Sequence, residues 1–109
     1  MDYYTTYHFY AINFKTMEDL DYEEVKSLCK ELDEMYNLET CGDTDFSAKW
    51  YDHTEDMREF SKKHPDLLFE LAGEGEDFVD IWKEYYHNGK YQIVKAKIVY
   101  DDPDIDKLK

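Results

Sequence analysis

The sequence predicts a single-domain α+β fold: a two-layer sandwich with two helices on one face of a mixed or antiparallel sheet, in the order β-α-β-α-β-β-β. Three observations carry this. Two stretches with apolar residues at helical spacing lie between stretches rich in aromatic and β-branched residues. An Asn88-Gly89 pair sits between two alternating runs, the favoured signature of a two-residue hairpin loop. A chain of 109 residues, 42% hydrophobic and 17% aromatic, supplies one core, with no internal repeat, linker or second domain.

Each element has its own justification. Residues 3–14, YYTTYHFYAINF, hold aromatic and β-branched types without Gly or Pro and predict a long first strand. Asp21 then caps a helix, with Glu24 three residues on as its capping-box partner and Leu20 and Val25 in the staple positions. Val25, Leu28, Cys29, Leu32 and Met35 recur along one side, leaving Glu23, Lys26, Lys30, Glu31, Asp33 and Glu34 outside, over about four turns. Asn37 and the Cys41-Gly42-Asp43 cluster mark its end.

FSAKWY, residues 46–51, alternates with Phe46, Ala48 and Trp50 on one side and predicts a half-buried strand. A second helix starts at Thr54, with Glu55 and Asp56 placed favourably at its positive end and Lys62, Lys63 and His64 at its negative end. Pro65 restricts His64 and stops the helix. LLFELA, residues 67–72, is a third strand, closed by the glycines of GEGE.

If the turn lies at Asn88-Gly89, His87 faces Lys90, Tyr86 faces Tyr91, Glu84 faces Ile93, Trp82 faces Lys95 and Asp80 faces Lys97. In that register Val79, Ile81, Tyr85, Val94, Ala96, Ile98 and Tyr100 form the expected core stripe, with Lys83 and Gln92 as exceptions. The other side carries Trp82, Tyr86, Tyr91 and Ile93 beside Asp80, Glu84, Lys95 and Lys97. Residues 101–109, DDPDIDKLK, are an expected solvated acidic tail.

Charge narrows the function classes. Twenty-seven acidic residues against thirteen basic give a net charge of −14, which costs the compact state through self-repulsion. Two explanations stay open: solubility, or a partner that expects negative charge. Direct binding of DNA or RNA through phosphates needs Lys and Arg, and here the field has the wrong sign. Cys29 and Cys41 lack metal-site spacing, and Cys29 falls on the apolar helix face, so buried reduced thiols are expected rather than a disulfide. No basic region precedes an apolar run and no stretch approaches the ~20 apolar residues of a membrane span, so the expected location is cytoplasmic.

No enzyme motif stands out. GEGEDF has the glycines of a phosphate loop, but Glu74, Glu76, Asp77 and Asp80 would repel a phosphate. A Ca²⁺ or Mg²⁺ ion suits clustered carboxylates better, yet the EF-hand spacing is missing, and a turn with solvated acids explains the stretch as well. Carboxylate pairs such as Glu70 with Glu74 arise by coincidence in so acidic a chain. His8, His53, His64 and His87 are scattered, none with a second histidine at i+4. No catalytic, cofactor-binding or metal-binding residue is therefore assigned, and no cofactor is expected. The aromatic side of the hairpin lacks the basic groove that accompanies base stacking, and suits a protein partner better.

Residues 50–71, running into GEGEDF and then NGK, resemble small uncharacterised proteins of phages and mobile elements. Over residues 46–90 the chain also resembles the YubB-like ferredoxin-like domain, through Trp50, Pro65, Phe69, Glu74, Gly75, Glu76, Phe78 and Gly89. The resemblance implies no catalytic residues, and the order of elements departs from βαββαβ. It implies a pool rich in inhibitors of host defence, including acidic anti-CRISPR and anti-restriction proteins.

The expected function is that of a non-enzymatic acidic inhibitor whose carboxylates imitate phosphates and block the basic cleft of a nuclease or other nucleic-acid-binding protein. The expected partner-binding residues are Glu23, Glu31, Glu34, Glu74, Glu76, Asp77, Asp80, Trp82, Glu84, Tyr86 and Tyr91. The alternative is a soluble structural or adaptor module, or a homodimer joined through Trp82, Tyr86 and Tyr91, with acidity serving solubility.

Overall fold

The computed structural model describes residues 4–38, 40, 43–75 and 80–109. Their elements are β1 (Thr5–Asn13), α1 (Tyr22–Tyr36), β2 (Asp45–Ala48), α2 (His53–Lys63), β3 (Leu67–Glu74), β4 (Ile81–His87), β5 (Lys90–Lys95) and a short 3-10 turn, Ile105–Lys107. All five strands join one antiparallel sheet, ordered β2-β1-β3-β4-β5. That order differs from chain order, because β1 lies inside the sheet between β2 and β3. The alternation of buried Tyr7, Phe9 and Ala11 along β1 suits this inner place.

Both helices cover the same face. Asp21 caps α1 by accepting from the Glu24 N–H at 2.8 Å, and Asn37 ends it in the left-handed region at φ 54°, which Asn tolerates. The helix buries Val25, Cys29 and Leu32; α2 buries Met57, Phe60 and Ser61. Side by side, the helices are joined by Glu31 to His64 at 3.1 Å and by the Tyr36 hydroxyl donating to Glu59 at 3.2 Å. These meet Tyr7, Phe9, Phe46, Phe69, Leu71 and Tyr86 in one core. Each such side chain contributes roughly 1.5–3 kcal/mol of burial.

The hairpin register is the expected one from His87–Lys90 to Trp82–Lys95. Asn88 at φ 46° and Gly89 at φ 83° make the turn. The ladder stops before Asp80 and Lys97, which do not pair as strand residues. The turn is gripped by α2: the Gly89 N–H donates to Ser61 Oγ at 2.8 Å, and Arg58 Nε donates to the Gly89 carbonyl at 2.9 Å. β2 also ends earlier than expected, at Ala48, and Trp50 is buried beyond the strand rather than within it.

The faces of the hairpin are the reverse of the expected ones. Glu84 and Tyr86 are fully buried beneath α2, with Trp82 half-buried on the same side. Ile81 and Val94 stand on the open face, 40% and 41% exposed; Ala96, Ile98 and Tyr100 lie exposed past the end of β5, and Val79 is outside the described residues. The physical reason is coverage. The second helix reaches over β4 to the turn, but both sides of β5 remain exposed, so apolar residues there mark no core. Lys83 and Gln92, the exceptions to the expected stripe, belong on a solvated face, where Lys83 pairs with Glu70 at 3.4 Å.

Candidate functional site

The helix-covered face has one row where aromatic side chains collect. Tyr7 on β1, Gly73 on β3 and Trp82 on β4 are cross-strand partners. Gly73 has no side chain, so the Trp82 indole lies across it: a Cβ there would stand about 3.0 Å from Trp82 Cη2 and closer still to Cζ2 and Cε2. The connection from β2 to α2 then sets Trp50, Tyr51 and His53 around the same row. Tyr7 meets the Trp50 ring edge-on at 5.6 Å and the His53 ring at 5.9 Å.

A hollow of about 240 Å³ results, lined by Thr5, Tyr7, Trp50, Tyr51, His53 and Trp82. A second, of about 270 Å³, shares His53 and Trp82 and adds Asp80, Glu84, Ile93 and Lys95. Together they form a cleft beside the first turn of α2.

Beneath it lies a buried carboxylate. Glu84 accepts from His53 Nδ1 at 2.8 Å and Trp82 Nε1 at 2.5 Å, and it also accepts from the Tyr86 hydroxyl. An ionised carboxylate only accepts, so His53 Nδ1 carries the proton. Burial alone would raise the Glu84 pKa, but the bonds from His53, Tyr86 and Trp82 outweigh it and hold the group below its ordinary value. Burial and that same carboxylate push the Tyr86 phenol far up. Every buried side-chain N or O atom among the described residues has a partner. The other tryptophan repeats the pattern: Trp50 Nε1 donates to Asp56 Oδ2 at 2.7 Å.

The expected site residues divide. Trp82 and Glu84 belong to the cleft and Asp80 to its mouth, while buried Tyr86 supports it from below. Tyr91 is half-exposed, stacked on Tyr86 at 6.1 Å with Arg58 above it at 5.3 Å. Glu84 and Tyr86 cannot meet a partner, because α2 covers them; this corrects their assignment as contact residues. Glu23 and Glu34 are exposed on α1, and Glu31 is half-buried against His64. Glu74 stands on the open face, 3.4 Å from His8 Nε2, so it shares no surface with the α1 acids. Glu76 and Asp77 lie outside the described residues, as does the expected cation loop they belong to. Among the described residues no group of three or more His, Cys, Asp or Glu could hold a metal ion.

Tyr7, Trp50, Tyr51 and His53 were absent from the expected site. The signal for them was Trp50 with His53 and Asp56 at short spacing across a strand-to-helix connection. Cys29 is buried and free, its thiol pushed up to about 11 by burial, which suits a core residue; Cys41 lies outside the described residues.

The acids are unevenly distributed. Residues 18–59 contain fifteen acidic and four basic residues, a net of −11, whereas residues 60–99 contain seven and six, a net of −1. The first segment builds α1, β2 and most of α2; the second builds β3, β4 and β5. Negative charge is thus concentrated on the side of the molecule where α1 and β2 flank β1. The Glu59 carboxylate of α2 points to that side, bonded to Tyr36, and Arg58 to the other, bonded at Gly89.

The chain is a small single-domain α+β protein with a helix-covered antiparallel sheet. No helix among the described residues is long and apolar enough to cross a membrane. No family model matches it, and no curated protein or solved structure shows significant similarity.

Proposed function

We propose that this protein is a non-enzymatic inhibitor that lays its α1/β2 flank into the basic cleft of a nucleic-acid-binding protein, its carboxylates standing where phosphates would. The observation that carries the reading is the segregation of charge, −11 over residues 18–59 against −1 over residues 60–99. Charge kept for solubility alone needs no such segregation. Duplex DNA carries one charge per ~1.7 Å of axis, so the flank of a small domain presents a comparable density. Glu23 and Glu34 are exposed there on α1, and exposed Glu59 of α2 faces the same side through its bond to Tyr36. The resemblance to phage and mobile-element proteins points the same way, toward a host-defence nuclease of the CRISPR or restriction type as the partner.

The test is a pull-down from the native host at two salt concentrations, with wild type and a Glu23→Gln, Glu34→Gln, Glu59→Gln variant. A basic partner captured at low salt, weakened at high salt and lost from the variant is the expected result. Capture indifferent to both salt and the substitutions rejects the reading.

A second reading, a homodimeric or adaptor module, is favoured by one observation: Tyr10, Ile81 and Val94 are exposed on the open sheet face. Of the face expected for it from the sequence, Tyr86 is buried, Trp82 is half-buried and Tyr91 is exposed. A solution mass of twice the monomer, returned to one by Val94→Glu, would favour it.

A further inference from the structure

We propose that the aromatic hollow between Trp50 and Trp82 is a receptor for a cationic side-chain head, the guanidinium of an arginine or the ammonium of a lysine, projecting from the basic partner. The inference rests on the reading of the partner as basic and names which atoms of it the cleft takes.

The walls are the first argument. Five of the six lining residues are aromatic: buried Tyr7 and Trp50 form the floor, while half-buried His53 and Trp82 and exposed Tyr51 are the rings a ligand reaches, and the faces of Trp and Tyr attract cations through the ring quadrupole, Trp most strongly. The second is the state of the two indoles. Each donates its N–H to a carboxylate, Trp50 to Asp56 at 2.7 Å and Trp82 to Glu84 at 2.5 Å. A bond to an anion pushes electron density toward the ring and makes its face more negative. It also occupies the one hydrogen-bond donor an indole has, so neither Trp can donate to an anionic ligand. The same bonds hold the rings in place before anything binds, and Gly73 gives Trp82 the room to lie flat.

The third argument is the field. Asp52 and Asp56 line a neighbouring hollow on the other side of Trp50 and Tyr51, together with Lys49, so two carboxylates and one ammonium adjoin the receptor there. This chain already uses the chemistry internally. Lys26 sits 5.9 Å from the Tyr22 ring, Lys49 sits 4.8 Å from that of Tyr4, and Arg58 sits 5.3 Å from that of Tyr91. Lys95 opposes an incoming cation, but it lines only the adjoining hollow.

The probe is N-ethylguanidinium, with N-ethylurea as its neutral planar counterpart, read by the indole N–H resonances of Trp50 and Trp82. Saturable shifts of both resonances by the guanidinium and not by the urea are expected. Tyr51 is 73% exposed, so Tyr51→Ala leaves the fold intact and should weaken the guanidinium by about two- to five-fold, the contribution of one exposed cation–aromatic contact. Lys95→Met should strengthen it. Equal shifts from the urea, silent indoles, or an unchanged affinity in Tyr51→Ala would overturn the proposal. A heptalysine titration separates it from the reading it rests on. Salt-sensitive heptalysine binding with indoles silent to guanidinium removes the receptor and keeps the acidic flank. Guanidinium binding without any heptalysine binding keeps the receptor and removes the flank.

Discussion

The indole of Trp82 lies across Gly73 on the neighbouring strand, so closely that even a methyl group at Gly73 has no room. Trp82 cannot simply move, because its N–H is bonded to buried Glu84. Gly73→Ala should therefore cost about 1–3 kcal/mol and break the Trp82–Glu84 bond. Urea unfolding measures the first effect and a shifted Trp82 indole resonance the second. A variant as stable as wild type with an unmoved indole would contradict the packing.

Glu84 links acidity to stability. Its pKa is lower folded than its ordinary 4.5, so its contribution is fully present above that value and is lost as pH falls through the folded value. Glu84→Gln should flatten the acid limb of the stability–pH curve below about pH 4.5. His53→Ala removes one of three donors to a fully buried carboxylate and should cost about 2 kcal/mol. Denaturation monitored from pH 3 to 7 reads both.

His8 acts in the opposite sense. Its bond to Asp45, with further attraction from Asp45 and Glu74, raises its pKa above 6.5 despite some desolvation. Its contribution is complete below pH 6.5 and disappears as pH rises through the raised value. His8→Gln should therefore reduce stability at pH 6 and leave it unchanged at pH 9, by an amount kept small by solvent exposure.

Ser61 holds the hairpin turn. Its hydroxyl accepts from the buried Gly89 N–H and donates to the Arg58 carbonyl. Ser61→Ala leaves that N–H without an acceptor, at about 1–3 kcal/mol. Hydrogen exchange at Gly89 should accelerate in this variant more than exchange in the β1–β3 ladder; equal acceleration throughout would mean that the turn is not held locally.

Cys29 should resist a thiol reagent in the folded protein. Burial raises its pKa to about 11, and its thiol donates to the Asp43 carbonyl. Labelling of Cys29, followed by peptide mapping, should be slow natively and fast in urea.

The helix limits were legible because their signals are local: an Asp21 cap, an Asn37 stop and apolar residues repeating each turn. The hairpin register was legible for the same reason, since Asn88-Gly89 permits one geometry. Which side of the hairpin faced the helices was not. A pleated strand shows two alternating sets, and the choice depended on a buried carboxylate: Glu84 reads as a solvent residue until its three donors, 31 and two residues away, are brought together by the fold. Strand order escaped for a related reason, since antiparallel partners of β1 are fixed by packing along its whole length. The cleft was half legible. Trp82 stood out as an aromatic of interest, whereas Tyr7, Trp50 and His53 join it only through pairing across β1, β3 and β4.

The excess of negative charge over residues 18–59 gives the molecule a permanent electric moment directed across its sheet. Near any positively charged body it will turn the α1/β2 flank inward before touching. Adsorbed on a quaternary-amine resin, it would be held by α1 and display the lysines and unpaired backbone edge of β5 outward, a uniform lawn instead of a random layer.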